Sequence, residues 1–137
     1  MHSIVVRHHF DAAHRLSNYD GKCCQLHGHR WEVEVGLWGD NLHNGMLVDF
    51  SMVKRAIDTF DHSTILWVDD PLLKVLEKYS KRLGTLPFPK QPTAENIAEH
   101  LHNTLTNTLA ALGLDVYVDT VTVWESPNAK AVYVKGE

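Results

Sequence analysis

The sequence predicts an α+β domain, in which a four-stranded antiparallel sheet carries its helices on one face. Segments with alternating apolar residues come in two pairs, one near each end of the chain, while helical periodicity is confined to the middle. The resulting order, β-β-α-(α)-α-β-β, favours two hairpins in one antiparallel sheet. The 137 residues show no internal repeat or linker, so residues 1–137 are predicted to form a single domain.

The first pair of predicted strands flanks a polar loop. Residues 3–14, "SIVVRHHFDAAH", are rich in β-branched side chains and predict the first strand. Residues 16–26, "LSNYDGKCCQL", contain the Asn, Asp and Gly residues typical of a loop. Residues 29–38, "HRWEVEVGLW", alternate between two faces, which predicts a half-buried second strand. One face of that strand carries His29, Trp31, Val33, Val35 and Leu37.

Helical patterns fill the middle of the chain. The first helix is predicted at 51–60. The second is predicted at 69–84, because Asp70 is suited to cap it and the proline that follows is suited to its first turn. Its apolar stripe consists of Leu72, Leu76, Tyr79 and Leu83. The third helix is predicted from Thr93, as its cap, to about residue 112, with Gly113 after its end.

The remaining segments complete the sheet. Residues 85–92 contain three prolines, which cannot donate to a strand ladder, and so predict an irregular segment or a short edge strand. Residues 115–125 and 131–136 predict the last two strands, joined by the turn "SPNA". A four-stranded sheet has two open edges, and these favour pairing with other copies of the chain in a homo-oligomer.

The composition argues against several classes of protein. The net charge is −4 and no basic block occurs, which argues against nucleic acid as a partner. The first residues do not resemble a secretory signal, and no apolar run approaches the ~18 residues of a membrane span. Cys23 and Cys24 are the only cysteines, and neighbours in sequence rarely bond to each other. Free thiols in a reducing, cytoplasmic setting are therefore expected, with no membrane partner.

Three histidines form a candidate metal site. His27 and His29 are two residues apart, so in a strand their imidazoles point the same way and can reach one divalent ion. His14 ends the first strand, and antiparallel pairing brings that end beside His27. Three neutral histidines with an open fourth position are typical of a catalytic zinc. The alternative is that His27 and His29 line a turn and bond to the backbone.

Cys23 is a candidate reactive group, because it lies shortly before the two paired histidines. Lys22 and a nearby metal would favour the thiolate form. Two alternatives stay open: the thiol is a small buried hydrophobic group, or Cys23 or Cys24 is a fourth zinc ligand that closes the site.

Two acidic residues, Asp61 and Glu125, are further candidates for the same site. Asp61 is followed by His62, and a carboxylate next to an imidazole can fix its tautomer and make it a proton carrier; a plain helix-terminus feature is the alternative. Glu125 is in phase with Val121 and Val123, which aims a carboxylate toward the core face. Such a carboxylate can accept two parallel N–H bonds from an amidine-like edge; the alternative is that it curls into solvent.

Six short motifs occur in the order found in one enzyme family. They are "FDAAHRL", "C(x3)HGH", "DFSMVK", "FDH", "PTAEN" and "WES". The sequence thereby resembles the 6-pyruvoyl-tetrahydropterin synthase / 6-carboxytetrahydropterin synthase family over residues 10–136. The resemblance implies the tunnelling fold, in which trimers close their four-stranded sheets into a twelve-stranded barrel and two trimers stack into a hexamer.

The resemblance also implies roles for the candidate residues. Zinc would be held by the three histidines already named, His14, His27 and His29. Cys23 would match the catalytic cysteine, with Asp61 and His62 as its partners, contributed by a neighbouring subunit. Glu125 would match the acid that anchors the pterin. Two features depart from the pattern of the family: the segment 63–92, which bears on the rim of the pocket, is long, and Cys24 duplicates the thiol.

The function implied by the resemblance is a zinc-dependent lyase reaction. The three-residue gap between Cys23 and His27 resembles the 6-carboxytetrahydropterin branch. That branch converts 7,8-dihydroneopterin triphosphate to 6-carboxy-5,6,7,8-tetrahydropterin, with release of acetaldehyde and triphosphate, in 7-deazaguanine (queuosine) biosynthesis. The alternatives are triphosphate elimination alone, which gives 6-pyruvoyl-tetrahydropterin, and a non-catalytic zinc- or pterin-binding protein. The unranked candidates for binding the triphosphate are Arg7, Arg15, Lys22 and Lys130.

Overall fold

Six strands form one mixed sheet in the computed structural model, which describes residues 1–136. The strands, in chain order, are β1 (His2–His14), β2 (His27–Gly39), β3 (Ser63–Trp67), β4 (Thr85–Phe88), β5 (Val116–Ser126) and β6 (Ala129–Val134). The helices are α1 (Phe50–Asp58), α2 (Pro71–Val75), α3 (Ser80–Leu83) and α4 (Ala94–Ala111), with 3-10 turns at Lys22–Cys24 and Glu77–Tyr79. Within residues 1–136, none of the helices has the length and apolarity needed to cross a lipid bilayer.

The sheet order is β4-β3-β1-β2-β5-β6. β1, β2, β5 and β6 pair antiparallel, as the sequence predicts, and the α+β class with helices on one face is confirmed. The predicted number of four strands is wrong, because β3 and β4 extend the sheet beyond the end of β1. Both added strands pair in parallel: β3 with β1 at Ala12–His14, and β4 with β3.

The core lies between this sheet and the two longer helices. Phe10 of β1 is directly opposite Trp31 of β2, and their rings stack with centroids 5.6 Å apart and planes 8° apart. The two-residue period of the strands turns these residues toward the helices. α4 contributes a stripe of buried residues that includes Ile97, Leu101, Leu105 and Leu109, and α1 contributes Val53 and Ile57. This packing fixes the ends of β1 and β2, where the candidate site lies.

The segment between β3 and β4 differs from its prediction. Asp70 caps α2, its side chain accepting from the Leu72 N–H, and proline occupies the first turn, as predicted. The continuous helix over 69–84 is wrong: a short helix, a 3-10 turn and a second short helix occur instead. Tyr79 and Leu83 are exposed rather than packed. Since a helix in water gains most of its stability from a packed apolar face, this stripe does not sustain one long helix.

Candidate metal centre

Three imidazoles and one carboxylate converge where β1 ends and β2 begins. His14 is directly opposite His27 in the antiparallel register, and His29 lies two residues further along β2 on the same face. The ring centroids are 4.7 Å apart for His14 and His27, and 4.8 Å apart for His27 and His29. With Glu125, these residues offer ligand atoms that all lie within 4.8 Å of one another. The group therefore has the geometry and the donor atoms to hold a metal ion.

Backbone carbonyls fix the tautomers of two of the histidines. The Nδ1–H of His14 donates to the Pro92 carbonyl at 2.7 Å, and that of His27 donates to the Gln25 carbonyl at 2.6 Å. Because a carbonyl oxygen only accepts, the proton of each neutral ring lies on Nδ1 and the lone pair lies on Nε2. A hydrogen bond of this kind is what orients a metal-binding histidine in proteins.

The free ring nitrogens support the same interpretation. Nε2 of His14 and Nε2 of His29 are buried without a well-directed hydrogen bond from any residue in 1–136. A third such nitrogen, Nδ1 of His102, lies apart in the core. Buried polar atoms without partners are uncommon and costly, and two of them within one cluster are suited to binding a cation.

Burial also keeps two of these rings neutral. It lowers the pKa of His14, whose side chain is only 1% exposed, although the Pro92 carbonyl and the Glu125 carboxylate act in the opposite direction. Burial likewise lowers the pKa of His29. A metal-binding imidazole must be deprotonated, so these surroundings prepare both rings for coordination near neutral pH.

Glu125 reaches the cluster from the end of β5. Its Oε1 lies 3.1 Å from Nε2 of His14 and 3.5 Å from Nε2 of His29, and its side chain is 34% exposed. The register between β5 and β6 shifts between Trp124 and Ser126, so Glu125 sits at a bulge. A bulge re-aims a side chain, and here the carboxylate has one side toward the histidines and the other toward solvent.

A cavity of about 600 Å³ opens beside the cluster. Pairing between β2 and β5 ends at Glu32 and Trp124, although both strands continue past that point. The cavity lies at this divergence and is lined by Arg7, His29, Arg30, Glu32, Trp124, Glu125, Ser126 and Pro127. A ligand in this cavity would therefore contact a ring of the cluster and the Glu125 carboxylate together.

The cysteines lie in the loop between β1 and β2, outside the cluster. Cys23 and Cys24 occupy the 3-10 turn of that loop, and both thiols are free and partly buried. Among residues 1–136, the group that could hold a metal includes neither of them. The Cys23 carbonyl accepts a 2.8 Å hydrogen bond from the Leu16 N–H, which closes the neck of the loop.

Asp61 and His62 form a hydrogen-bonded pair away from the cluster. Asp61 Oδ2 lies 2.8 Å from Nδ1 of His62, and Asp61 Oδ1 accepts from the Asp11 N–H at 2.9 Å. The hydrogen bond from Asp11 is the main cause of the lowered pKa of Asp61, followed by the bond with His62. His62 has a φ of 58° and a side chain that is 83% exposed. The chain thus presents this imidazole to solvent in a backbone conformation that is uncommon for histidine.

The cationic candidates differ in how they are engaged. Arg15 makes a bidentate ion pair with the buried carboxylate of Asp70, at 2.8 and 2.5 Å. The guanidinium of Arg7 lies 4.5 Å from the centre of the Trp124 ring, at the cavity, and Lys130 Nζ lies 5.4 Å from the same ring. Arg7 accordingly borders the cavity and Lys130 contacts its Trp124 wall, whereas Arg15 is committed to a structural contact.

Sequence reasoning missed the carbonyl of Pro92 and the side chain of Gln91. Both precede α4, far along the chain from the residues they contact, which are His14 for Pro92 and Ser17 for Gln91. A backbone carbonyl leaves no mark on residue type, so the Pro92 contact had no sequence signal. The motif "PTAEN", which starts at Pro92, was the only available indication that this segment has a function.

The family model described as 6-pyruvoyl tetrahydropterin synthase matches residues 3–136. Several curated proteins named 6-carboxy-5,6,7,8-tetrahydropterin synthase are similar to this chain. That of Rickettsia felis is 34% identical over 87% of this chain and 90% of its own length. That of Aquifex aeolicus is 37% identical over 82% and 75%, and that of Haemophilus influenzae is 31% identical over 97% and 99%.

Solved structures share the fold. An uncharacterized protein from Wolinella succinogenes superposes with a TM-score of 0.81 at 23% identity, over 98% of both chains. A 6-pyruvoyltetrahydropterin synthase from Plasmodium vivax, solved as a mutant of a catalytic residue, superposes with a TM-score of 0.71 at 24% identity, over 99% of this chain and 98% of that one. At this level of identity the similarity establishes the architecture alone.

Proposed function

Since the chain belongs to the 6-pyruvoyl tetrahydropterin synthase family of enzymes, we propose that it is a zinc-dependent lyase acting on 7,8-dihydroneopterin triphosphate. The pterin product would be 6-carboxy-5,6,7,8-tetrahydropterin, the compound in the names of the curated relatives, and acetaldehyde and triphosphate would be released with it. The observation that carries the proposal is the convergence of three histidines and Glu125 at the wall of a cavity of about 600 Å³. The product would serve 7-deazaguanine (queuosine) biosynthesis, in a cytoplasmic setting that suits two free thiols.

His14, His27 and His29 would hold the zinc through Nε2. Imidazole ligands suit zinc well, and two of the rings already have Nδ1–H bonded to a carbonyl. When bound, the metal would supply Lewis-acid polarisation of the hydroxyl groups on the substrate side chain. An oxygen of Glu125 lies within 4.8 Å of the ligand nitrogens of the three histidines. Glu125 could therefore serve as a fourth zinc ligand instead of binding the pterin, and an experiment has to distinguish these two roles.

Side chains of the protein would carry out binding and proton transfer. Glu125 would accept hydrogen bonds from the amino group and ring N–H of the pterin, because a carboxylate matches that paired edge. The Cys23 thiolate would move a proton at the side-chain carbons, and His62, held by Asp61, would relay protons. Loss of triphosphate would be followed by addition of water at the first side-chain carbon and by a retro-aldol-type cleavage of its bond to the second carbon, which would leave the carboxylate on the pterin and release acetaldehyde. Arg7 is the favoured contact for the triphosphate because it borders the cavity while Arg15 is engaged with Asp70.

Two open sheet edges support a closed oligomer. β1 pairs with β3 only at Ala12–His14, which leaves the rest of its outer edge open, and β6 forms the opposite edge of the sheet. The alternating directions of β1, β2, β5 and β6 let β6 of one subunit pair antiparallel with β1 of the next. Such head-to-tail pairing closes into a ring, and we propose a trimeric barrel that stacks into a hexamer. A neighbouring subunit would then supply His62, because His62 is not part of the metal-binding group of its own chain.

The test is a product assay. Zinc-loaded protein is incubated with 7,8-dihydroneopterin triphosphate, and the released small fragment and the pterin product are identified. Acetaldehyde with 6-carboxytetrahydropterin supports the proposal. Triphosphate with 6-pyruvoyl-tetrahydropterin and no acetaldehyde would assign the chain to the elimination reaction instead. Tight binding with no product at all would mean a non-catalytic pterin-binding protein.

A further inference from the structure

The segment that opens α4 links the metal ligands to the loop that carries Cys23. We propose that Gln91 is a positioning residue, whose side-chain amide holds the Cys23 loop (16–26) in a fixed position relative to the metal ligand His14. The inference rests on the proposed function of the Cys23 thiol in proton transfer. It gives a physical role to the segment 91–96, called the bracket below, whose sequence is "QPTAEN".

The bracket is held rigidly by its own hydrogen bonds. The Gln91 carbonyl accepts from the Thr93 N–H at 2.8 Å and from the Asn96 side-chain amide at 2.9 Å. The Thr93 hydroxyl in turn accepts from the Asn96 N–H at 3.1 Å, as the cap of α4. Pro92 lies between them with a fixed φ and is buried. The bracket is therefore a firm base that projects polar groups in two directions.

In one direction the bracket meets the metal ligand. The Pro92 carbonyl accepts from Nδ1–H of His14 at 2.7 Å. In the other direction the Gln91 amide makes a double contact with one residue of the loop: Oε1 accepts from the Ser17 N–H at 3.2 Å, and Nε2 donates to the Ser17 hydroxyl at 2.9 Å. The orientation of the amide is fixed by this pair of contacts, because a backbone N–H requires an acceptor.

The contact at Ser17 is transmitted to the thiol by a short path. Leu16, the preceding residue, donates its N–H to the Cys23 carbonyl at 2.8 Å. Gln91 thus fixes one side of the loop neck, and the neck fixes the backbone of Cys23. Without the amide, the next side-chain anchor on that side of the loop, within residues 1–136, is further back, where Arg15 pairs with the buried Asp70.

The geometry separates this role from metal binding. His14 is oriented by the Pro92 carbonyl and by strand pairing with His27, and neither contact involves the Gln91 side chain. Truncation of Gln91 to alanine should therefore leave the metal ligands in place and release the loop. A displacement of about 1 Å in a catalytic group is enough to slow turnover on the order of a hundredfold.

The experiment compares Gln91→Ala with Gln91→Glu, each in a Cys24→Ala background, so that Cys23 is the only thiol. Zinc content, kcat and KM for 7,8-dihydroneopterin triphosphate, and the rate at which iodoacetamide alkylates Cys23 are measured for each protein. Glutamate has the same shape, and its oxygens can accept from both the N–H and the hydroxyl of Ser17. Asn18→Ala is the matched control, because Asn18 lies in the same loop and is exposed.

We expect Gln91→Ala to keep one zinc per chain, to lower kcat about tenfold to a hundredfold, and to leave KM within about twofold. Cys23 should be alkylated roughly threefold faster or more, because the loop opens more often. Gln91→Glu should restore kcat and the alkylation rate to within about threefold of the background protein. The control Asn18→Ala should have the same kcat and alkylation rate as the background protein.

Three results would overturn the proposal: unchanged kcat and alkylation in Gln91→Ala, loss of zinc together with kcat, or a Gln91→Glu variant as impaired as Gln91→Ala. The first would mean that the amide does not hold the loop, the second that it supports the metal site, and the third that the two hydrogen bonds are not its means of action. If the background protein itself does not turn over the pterin triphosphate, the proposed function fails. The alkylation and zinc comparison still decides whether Gln91 holds the Cys23 loop.

Discussion

Replacing Glu125 with glutamine distinguishes the two roles that its position allows. One carboxylate oxygen lies 3.1 Å from Nε2 of His14 and 3.5 Å from Nε2 of His29, so it could be a fourth metal ligand. The same side chain borders the cavity, so it could instead hold the pterin. Glu125→Gln keeps the size of the side chain but removes its charge and turns one acceptor into a donor.

The expected magnitude follows from the bonds that are lost. A hydrogen bond to a charged group contributes about 1.5–3 kcal/mol, which corresponds to a roughly 13- to 160-fold loss of affinity. Because the side chain is 34% exposed, water competes for the carboxylate and the lower half of that range is expected. Zinc content should not change, since three histidines remain.

The assay is titration of zinc-loaded protein with 7,8-dihydroneopterin, at matched metal content in the wild type and the variant. Glu32→Gln is the control, because Glu32 also borders the cavity but does not belong to the metal-binding group. It should change affinity by less than Glu125→Gln. Equal affinities in wild type and Glu125→Gln would refute the anchoring role, and loss of zinc from Glu125→Gln would make this residue a ligand and close the site.

Three further predictions concern the metal, the thiol and the buried ion pair. His27→Ala should lose both zinc and activity, and full zinc content by metal analysis would exclude the proposed ligand set. Cys23→Ala should keep zinc and pterin affinity but lose most turnover, whereas Cys24→Ala should behave as wild type; the reverse pattern in a rate assay would contradict the assignment. Asp70→Asn should destabilise the fold by about 3 kcal/mol in urea unfolding at pH 7, since it leaves Arg15 without its charged partner. The hydrogen bond from Arg15 lowers the pKa of Asp70, so this stabilisation is present above the unfolded pKa of about 3.9 and is lost as pH falls through the lower folded pKa. A variant equal to wild type at pH 7 would contradict the prediction.

The convergence of the three histidines was predictable because it follows from two local rules. Alternation along β2 puts His27 and His29 on one face, and antiparallel pairing across a short loop puts His14 opposite His27. The core face of β2 was predictable for the same reason. No feature of residue type, however, indicates which carbonyl will face a ring nitrogen, so the contact between His14 and Pro92 required the fold itself.

β3 was missed because its pattern carries no period. Thr64, Ile65 and Leu66 are all buried, so the strand shows no alternation, and five residues are too few to distinguish a buried strand from a buried helix segment by period. Its pairing with β1 is parallel and joins segments far apart in sequence. The helix predicted over 69–84 failed for the opposite reason: its period is clear, but Tyr79 and Leu83 remain 58% and 41% exposed, so the stripe is not packed.

The divergence of β2 and β5 connects the fold to the proposed chemistry. If the ladder continued past Glu32 and Trp124, Trp31 would pair with Glu125, and the cavity beside His29 would be filled by backbone. Ending the ladder there forgoes roughly two backbone hydrogen bonds, each with a net contribution of about 1 kcal/mol. In exchange, Glu125 remains free to point at both the histidines and the cavity. The interruption therefore leaves the His29 ring and the Glu125 carboxylate at the wall of the cavity, where the proposed substrate would reach them.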